Sequence, residues 1–220
     1  MRLLIRKTHR YLSVFIALQL LLWTLSGIYF AFNKIEYVRG EQYRKLQAHG
    51  IDFDMIDANI LGAEKVRVVS RLGEIVLVIS KPTGQKYLNA QGHTIDKITP
   101  DEALRIVAEL TILKPLQVSE IMESPPAAEY RGRNLPLYRV TSQNKEDDKI
   151  NVYVDAFSGE LVAIRSLKWR IWDLMWGLHI MDWQARDDIN NWLLKVFSIL
   201  ALVSSITGLL LFFKPSARSK

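Results

Sequence analysis

The sequence predicts an α+β protein in which a small sheet-plus-helix domain lies between two transmembrane helices, with an interfacial, Trp-rich helix before the second. Three observations predict this class: an apolar run near each end, alternating apolar residues between them, and regularly spaced tryptophans ahead of the second run. The predicted division is a basic tail over 1–10, a span over 11–32, a central domain over 33–166, a helix over 167–184, a span over 192–213 and a basic tail over 214–220.

The first predicted span, Tyr11–Phe32, contains twenty-two residues and no charged side chain. At a rise of about 1.5 Å per residue, a helix of this length covers roughly 33 Å, enough for a hydrocarbon core of about 30 Å. A cleaved signal peptide is the alternative, but the run exceeds the roughly 7–15 apolar residues of such a segment and no small-residue cleavage site follows it. We therefore expect an uncleaved membrane anchor.

The second predicted span ends in the eighteen uncharged residues Val196–Phe213, and Lys195 ahead of them can extend its ammonium group to the interface. Four basic residues precede the first span and three follow the second, with no acidic residue in either tail. Flanks rich in Lys and Arg stay in the cytoplasm. We therefore expect both termini inside a bacterial inner membrane and the central domain in the periplasm.

The net charge of +6 comes from these two tails, because 22 basic and 23 acidic residues remain without their seven cations. No basic surface is left over for nucleic acid, so the lipid bilayer is the expected partner of the positive charge. The absence of cysteine excludes thiolate iron–sulfur sites, covalently attached c-type haem, Cys-zinc sites and disulfides.

Alternating apolar residues predict strands in the central domain, as two hairpins over 66–79 and 86–96 and three later strands over 135–141, 149–155 and 160–164. Between them, Thr99-Pro100-Asp101-Glu102 is a capping box with proline at the first helical position, which predicts a helix to about Leu113. Glu120, Glu123 and Glu129 are more typical of a solvated acidic loop than of a cation site. No nucleophile–base pair, phosphate-binding loop or metal-ligand spacing occurs in this domain, and the connector over 34–57 has no clear pattern.

Trp169, Trp172, Trp176, His179 and Trp183 recur at intervals of three or four residues and therefore share one face of the predicted helix. One interpretation is an amphipathic helix in the aromatic belt of the periplasmic interface, with His179 as one more amphipathic ring. The other is the wall of a haem or quinone pocket in which His179 is an axial ligand.

His9 lies at the opposite edge of the predicted membrane. It is either an interfacial residue among basic neighbours or a second axial ligand, with Arg6 and Arg10 pairing with haem propionates. The two histidines cannot share one iron within a chain, because a span separates their faces by roughly 30 Å. Two haems would each need a second ligand from another copy or subunit. His49 and His93 fall in predicted loops and are expected to be solvated.

Both spans end in a hydroxyl residue followed by glycine, at Ser26-Gly27 and at Thr207-Gly208. Small residues let helix backbones approach closely in lipid. The repeat predicts that the chain forms a homo-oligomer or joins a larger membrane complex. Gln19, in the middle of the first span, is expected to face protein because an unpaired amide in hydrocarbon is costly.

Several segments resemble the PepSY-associated transmembrane family. The stretch Val152–Leu161, with sequence VYVDAFSGEL, is similar to the closing hairpin of a PepSY domain, and the helix from Thr99 resembles the helix of that domain. Thr8–Ser13 before the first span is similar to the family's usual string His-Arg-Trp-Leu-Gly, although tyrosine and serine replace the Trp and Gly. Leu178-His179, before a span that ends in Thr207-Gly208, is similar to the family's second segment.

The resemblance implies a membrane protein with a periplasmic PepSY domain, in a family that includes iron-regulated membrane proteins and haem-containing reductases of ferric siderophores. It therefore supports b-type haem and a role in transmembrane electron transfer or periplasmic ferric-siderophore reduction. The residues assigned to that site are His9, His179, Trp172, Trp176, Arg6 and Arg10. PepSY domains also occur in protease pro-peptides, so the alternative function is a non-catalytic, membrane-anchored module that binds and modulates a periplasmic partner protein. Longer members have four spans, whereas two are predicted here.

Overall fold

The computed structural model describes residues 2–45 and 63–213. The predicted tail over 214–220, His49 and residues 46–57 of the connector lie outside the described residues. The elements in chain order are α1 (Arg2–Phe32), α2 (Ile35–Val38), a 3-10 turn (Glu41–Tyr43), β1 (Lys65–Arg71), β2 (Glu74–Lys81), β3 (Gly84–Asn89), α3 (Pro100–Leu110), β4 (Lys114–Ile121), β5 (Leu137–Gln143), β6 (Lys149–Asp155), β7 (Leu161–Arg165), α4 (Leu167–His179) and α5 (Trp192–Phe213).

These elements form two compact units. The helical unit joins α1 with the chain from Ile171 onward, and the α+β unit comprises Ile35–Arg170. The fold is therefore mixed helix and sheet, with two apolar helices towards its ends and two antiparallel sheets between them.

In the helical unit, α1 and α5 pack antiparallel. Ser13 Oγ lies 2.9 Å from Ser204 Oγ, and the rings of Phe15 and Phe197 stack with centroids 5.6 Å apart. Two segments, His9–Phe32 and Trp192–Phe213, are long and apolar enough to cross a membrane. Most of their large apolar side chains point outward, whereas polar groups such as Ser26 are buried. This inverted pattern fits lipid better than water.

Helix α1 begins nine residues before the predicted span, because Arg, Leu and Lys favour the helix and neither proline nor glycine occurs before Gly27. Helix α4, in contrast, ends five residues before the predicted boundary at 184. Met181 has a positive φ of 56°, and the Asp182 N–H donates to the Gly177 carbonyl at 3.0 Å. This left-handed cap ends the helix, so Trp183 lies outside it.

The first sheet of the α+β unit has strand order β1-β2-β3. The predicted first hairpin is confirmed, with Leu72-Gly73 as its two-residue turn at φ values of 51° and 91°. The predicted second hairpin is confirmed as a short return from β3. β3 pairs with β2 along its length, and the return over residues 94–96 is reduced to a single bridge between Leu88 and Thr94.

The second sheet has strand order β4-β5-β6-β7, and three of its strands match the predicted runs within two residues at each end. Strand β4 was not predicted. It lies at the edge of the sheet, has Pro115 as its second residue and exposes several polar side chains, so its apolar alternation is weak.

Helix α3 packs on one face of the second sheet. Ala103, Ile106 and Val107 on α3 are buried in one cluster with Val140 and Val152 of the sheet. The predicted capping box is confirmed, because the Glu102 N–H donates to Thr99 Oγ1 and the Thr99 N–H donates to the Glu102 carboxylate. The helix ends at Leu110, three residues earlier than predicted.

A half-buried carboxylate organises the loop before β5. The Glu129 carboxylate accepts hydrogen bonds from Asn151 Nδ2 at 2.9 Å, Tyr153 OH at 2.8 Å and Arg170 Nε at 2.6 Å. Burial raises the pKa of the Glu129 carboxyl, but these three hydrogen bonds outweigh it and hold the pKa below its usual value. The expectation of a solvated acidic loop was therefore wrong for Glu129, and Glu120 pairs with Lys97 at 2.6 Å.

Candidate functional site

His179 is the last residue of α4 and packs against α1. Two carbonyls at the end of α4, which a helix leaves without partners, accept side-chain donors from α1. Gln19 Nε2 donates to the Leu178 carbonyl at 3.1 Å, and Trp23 Nε1 donates to the His179 carbonyl at 2.6 Å. The prediction that Gln19 faces protein is thereby confirmed. These bonds fix the backbone that carries the imidazole.

The Ser26 hydroxyl determines which nitrogen of His179 carries the proton. Ser26 Oγ lies 2.7 Å from the Leu22 carbonyl and 2.7 Å from His179 Nδ1. The Ser26 hydroxyl oxygen and the Leu22 carbonyl oxygen can lie this close only if a proton is between them, and only the hydroxyl can supply that proton. The hydrogen bond between Ser26 Oγ and His179 Nδ1 must therefore use a proton on Nδ1. Burial lowers the pKa of the His179 imidazole, which favours the neutral ring with an unprotonated Nε2.

Aromatic side chains surround the His179 ring. Trp176 stacks on it with centroids 6.3 Å apart, and Trp172 stacks in turn on Trp176 at 5.6 Å. Phe30 meets the imidazole edge-to-face at 5.7 Å, and Trp23 is tilted against it at 6.4 Å. The structure therefore brings together Trp172, Trp176 and His179 as the sequence predicted. Phe30 and Trp23 were not predicted, because their only signal was an aromatic residue within an apolar span.

The other two tryptophans of the predicted stripe lie elsewhere. Trp169 is buried in the α+β unit, where the guanidinium groups of Arg165 and Arg131 lie 4.3 Å and 5.7 Å from its ring centre. Trp183 follows the end of α4 and is 54% exposed. Only two of the four tryptophans of the predicted stripe, Trp172 and Trp176, therefore stack beside His179.

His9 has an equivalent hydroxyl partner on α5. Its Nδ1 lies 3.0 Å from Thr207 Oγ1, and that hydroxyl lies 2.9 Å from the Val203 carbonyl. The same proton argument makes Nδ1 the donor and leaves Nε2 unprotonated in the neutral ring. A Cβ on Gly208 would lie 3.1 Å from His9 Cε1, so glycine is what allows the imidazole to approach α5.

The two pairs repeat one arrangement, although their surroundings differ. In each, a hydroxyl followed by glycine bonds back to its own helix and accepts the Nδ1 proton of a histidine from a different helix. Ser13 and Ser204 lie beside His9, where His179 has aromatic rings. His9 and Ser26 are seventeen positions apart on α1, which corresponds to about 25 Å along the helix.

The donor set of both histidines fits haem iron. Haem takes one or two protein ligands, and a histidine ligand presents an unprotonated nitrogen while its other nitrogen donates to an orienting group. For His179 the unprotonated nitrogen is Nε2, and for His9 it is also Nε2, although Ser13 Oγ lies 3.5 Å from that atom. Among the residues described, no group of three or more His, Cys, Asp or Glu side chains could hold a bare metal ion.

The remaining predicted site residues are Arg6 and Arg10, which lie one turn apart on α1. Both are exposed, and their four-residue spacing places them on one face of the helix. His93 is also exposed, on the turn after β3.

The family model described as the PepSY-associated TM region matches residues 6–219. No curated protein and no solved structure gives a significant match. The match includes both histidines, both apolar helices and the α+β unit between them. The chain is therefore a membrane protein that belongs to the PepSY-associated TM region family.

Proposed function

We propose that this protein holds b-type haem at His9 and His179 and takes part in transmembrane electron transfer or periplasmic ferric-siderophore reduction. The observation that carries the proposal is the repeated histidine–hydroxyl pair. A merely structural histidine needs no fixed tautomer, whereas an axial ligand needs an unprotonated Nε2, which the Nδ1 contacts with Ser26 and Thr207 favour.

The charge pattern and the family support a placement in the bacterial inner membrane. Basic residues occupy the first turns of α1 and follow α5 in the sequence, and the antiparallel packing of the two helices returns the chain to the side from which it started. Both termini are then cytoplasmic, and the α+β unit is a periplasmic PepSY domain. His9 lies towards the cytoplasmic face and His179 towards the periplasmic one.

The residues of the site have distinct roles in this proposal. Ser26 and Thr207 orient the ligating rings, and Trp172 and Trp176 supply a flat, water-excluding wall beside His179. Arg6 and Arg10 offer two cations for propionates near His9. Haem, when bound, supplies reversible one-electron exchange between ferric and ferrous iron.

A second axial ligand for either iron would come from outside this chain, since the two histidines lie too far apart to share one. A homo-oligomer or a larger membrane complex would supply it. Among the described residues, no atom lies within 4 Å of a Cβ built on Gly27, so that part of α1 has room for a helix from another chain. Gly208, in contrast, already packs against His9.

The test is a reduced-minus-oxidised visible spectrum of the full chain purified in detergent from haem-supplied cells. We expect the Soret and α bands of b-type haem, with two haems per chain by pyridine haemochromogen assay. His179→Ala and His9→Ala should each remove one of them. His93→Ala, on an exposed turn, is the matched control and should retain both.

A colourless preparation would overturn the haem assignment. It would favour the alternative function of a non-catalytic anchored module, in which the periplasmic unit binds and modulates a partner protein. Haem retained in the His9→Ala/His179→Ala double variant would also contradict the assignment, because the ligands would then be other residues.

A further inference from the structure

The exposed apolar side chains of the α+β unit concentrate along the edge strand β4. Among the residues described, five large apolar side chains of this unit are exposed, and three of them, Ile112, Leu116 and Met122, lie on β4 or within two residues of it. Leu116 is 48% exposed and Met122 is 63% exposed. Single exposed apolar residues are common, but a row of them marks an interaction surface.

The hydrogen bonds of the second sheet determine which residues of β4 point their backbone outward. The Ala156 N–H donates to the Pro136 carbonyl at the end of the β5–β6 pair. Backbone direction alternates along a strand, so Arg139, three residues after Pro136, directs its N–H and carbonyl away from β6 and towards β4. Its partner on β4 is Ser119, which therefore points its own backbone groups inward.

The neighbours of Ser119 on β4, Val118 and Glu120, consequently point their N–H and carbonyl groups to the outside of the sheet. Neither has a backbone partner on that side among the residues described. Such an edge is a template for pairing with another strand, and natural edges are usually blocked. The start of β4 is blocked by Pro115 and by the bulge between Pro115 and Gln117, but the part after the bulge has neither device.

The charge on this open part of the edge is neutralised. Between Gln117 and Met122 the only charged residue is Glu120, and Lys97 Nζ lies 2.6 Å from its carboxylate. An unpaired charge on an edge strand opposes the addition of another strand, but this one already has a partner. The segment therefore presents unpaired backbone groups and exposed apolar side chains without an unbalanced charge.

This edge is complementary to a second copy of itself. Two antiparallel copies exchange backbone hydrogen bonds only where outward-facing residues meet, so Val118 and Glu120 allow three registers. Pairing Glu120 with Glu120 places two carboxylates opposite each other, and pairing Val118 with Val118 places Leu116 opposite a glutamate. Pairing Val118 with Glu120 avoids both arrangements. It places Ser119 opposite itself and Leu116 opposite Met122 at each end.

We propose that β4 of one chain pairs antiparallel with β4 of a second copy, about a two-fold axis at Ser119. The two four-stranded sheets then continue across the interface, and the side chains of Leu116 and Met122 cover each other. Identical surfaces that meet about a two-fold axis are the commonest basis of protein dimers. The contact uses no residue of the helical unit, so it does not rest on the haem assignment.

Engineered cysteines test the register, because the natural chain has none. Residues directly opposite each other at such an axis have Cα atoms about 4.5 Å apart, which suits a disulfide. We expect Ser119→Cys to form a disulfide-linked dimer of the full chain when membranes from expressing cells are oxidised. Glu146→Cys, on an exposed turn, is the control for random collision.

Two further positions define the axis. Gln117→Cys and Ile121→Cys each place the two copies of the new cysteine about 13 Å apart, so each should crosslink at least about tenfold less than Ser119→Cys. The double variant Gln117→Cys/Ile121→Cys brings unlike positions together and should crosslink again. Thermal unfolding of each reduced variant checks that it folds.

Met122→Asp tests the apolar contact in the Ser119→Cys background. It should lower the yield of crosslinked dimer at least about fivefold, because each dimer loses two apolar cross-strand contacts. Ile112→Asp is the matched control, since it makes the same kind of change at an exposed position outside β4. It should leave the yield unchanged.

Three results would overturn the proposal. They are crosslinking of Ser119→Cys no greater than that of Glu146→Cys, equal crosslinking at positions 117, 119 and 121, and a disulfide from Ser119→Cys to a different protein instead of a second copy. The last result would show that β4 pairs with a strand of another partner. If Met122→Asp is unfolded, the single-cysteine variants decide the matter alone.

Discussion

The α+β unit and the apolar helices α1 and α5 hold their polar groups differently. In the α+β unit, the Glu129 carboxylate is neutralised by a guanidinium and held by two further donors. In the described parts of α1 and α5, buried polar contacts use neutral hydroxyl, amide and imidazole groups instead. A charge costs far more in hydrocarbon than a neutral group does. The comparison teaches that a histidine packed against α1 or α5 is suited to act as a neutral ligand.

The largest expected effect is the loss of the Glu129 charge. We expect Glu129→Gln to lower the free energy of unfolding of the α+β unit by about 3 kcal/mol, because three donors would lose a charged acceptor in a half-buried site. Chemical denaturation in detergent measures the difference. Glu146→Gln, on an exposed turn, is the control and should change stability by less than about 0.5 kcal/mol.

The same carboxylate predicts a pH dependence with a definite sign. The pKa of Glu129 is lower in the folded protein than its usual value. Its contribution to stability is therefore complete above the unfolded pKa of about 4.3 and is lost as the pH falls through the folded pKa. Unfolding curves between pH 3 and 7 should show a steeper acid loss in the unmodified protein than in Glu129→Gln, and parallel curves would contradict this account.

The second prediction concerns the contact between α1 and α5. Gly208→Leu should separate the helices and lower stability by about 2 kcal/mol, because the new side chain would push His9 away. Gly27→Leu is the matched change at a glycine with open space and should leave the contact intact.

Disulfide formation can report that contact, since the chain contains no cysteine. Ser13→Cys/Ser204→Cys replaces two hydroxyls that lie 2.9 Å apart and should form a disulfide within the chain. The crosslink should persist with Gly27→Leu and be lost with Gly208→Leu. Equal crosslinking in both variants would show that the contact between α1 and α5 beside His9 does not depend on Gly208.

The smallest expected effect is on the tautomer of each histidine. Ser26→Ala removes the acceptor of the His179 Nδ1 proton, at a cost of about 1 kcal/mol. Nitrogen-15 NMR should show an unprotonated Nε2 in the apo protein and a mixture of tautomers in the variant. His93 is the internal control. A protonated Nε2 in the unmodified protein would remove the main support for the ligand assignment.

The sequence predicted the elements whose signal is local. Uncharged length identified both apolar helices, the capping box placed the start of α3, and strict alternation located β6 to the residue. Strand β4 was missed because an edge strand with polar, half-exposed residues carries little alternation. The end of α4 was missed because it depends on a left-handed methionine, a conformation that this residue type does not signal.

The site was predicted only in part, for a related reason. The spacing of Trp172, Trp176 and His179 follows from the period of one helix, so it was visible in the sequence. The partners Ser26, Thr207, Phe30 and Trp23 come from other helices, more than 140 positions away from the histidine each of them contacts. Glu129 likewise looked like part of an acidic loop, because its donors lie 22 to 41 positions downstream.

The early start of α1 has a consequence for the cations near His9. The helix is about 46 Å long by its 31 residues, so its first turns extend past a hydrocarbon layer of about 30 Å as a stiff rod. The continuous helix therefore fixes the directions in which Arg6 and Arg10 leave the helix axis, relative to the His9 imidazole. An anionic group that bridges the two guanidinium groups would be held in a fixed position relative to His9. A flexible tail could not fix that position.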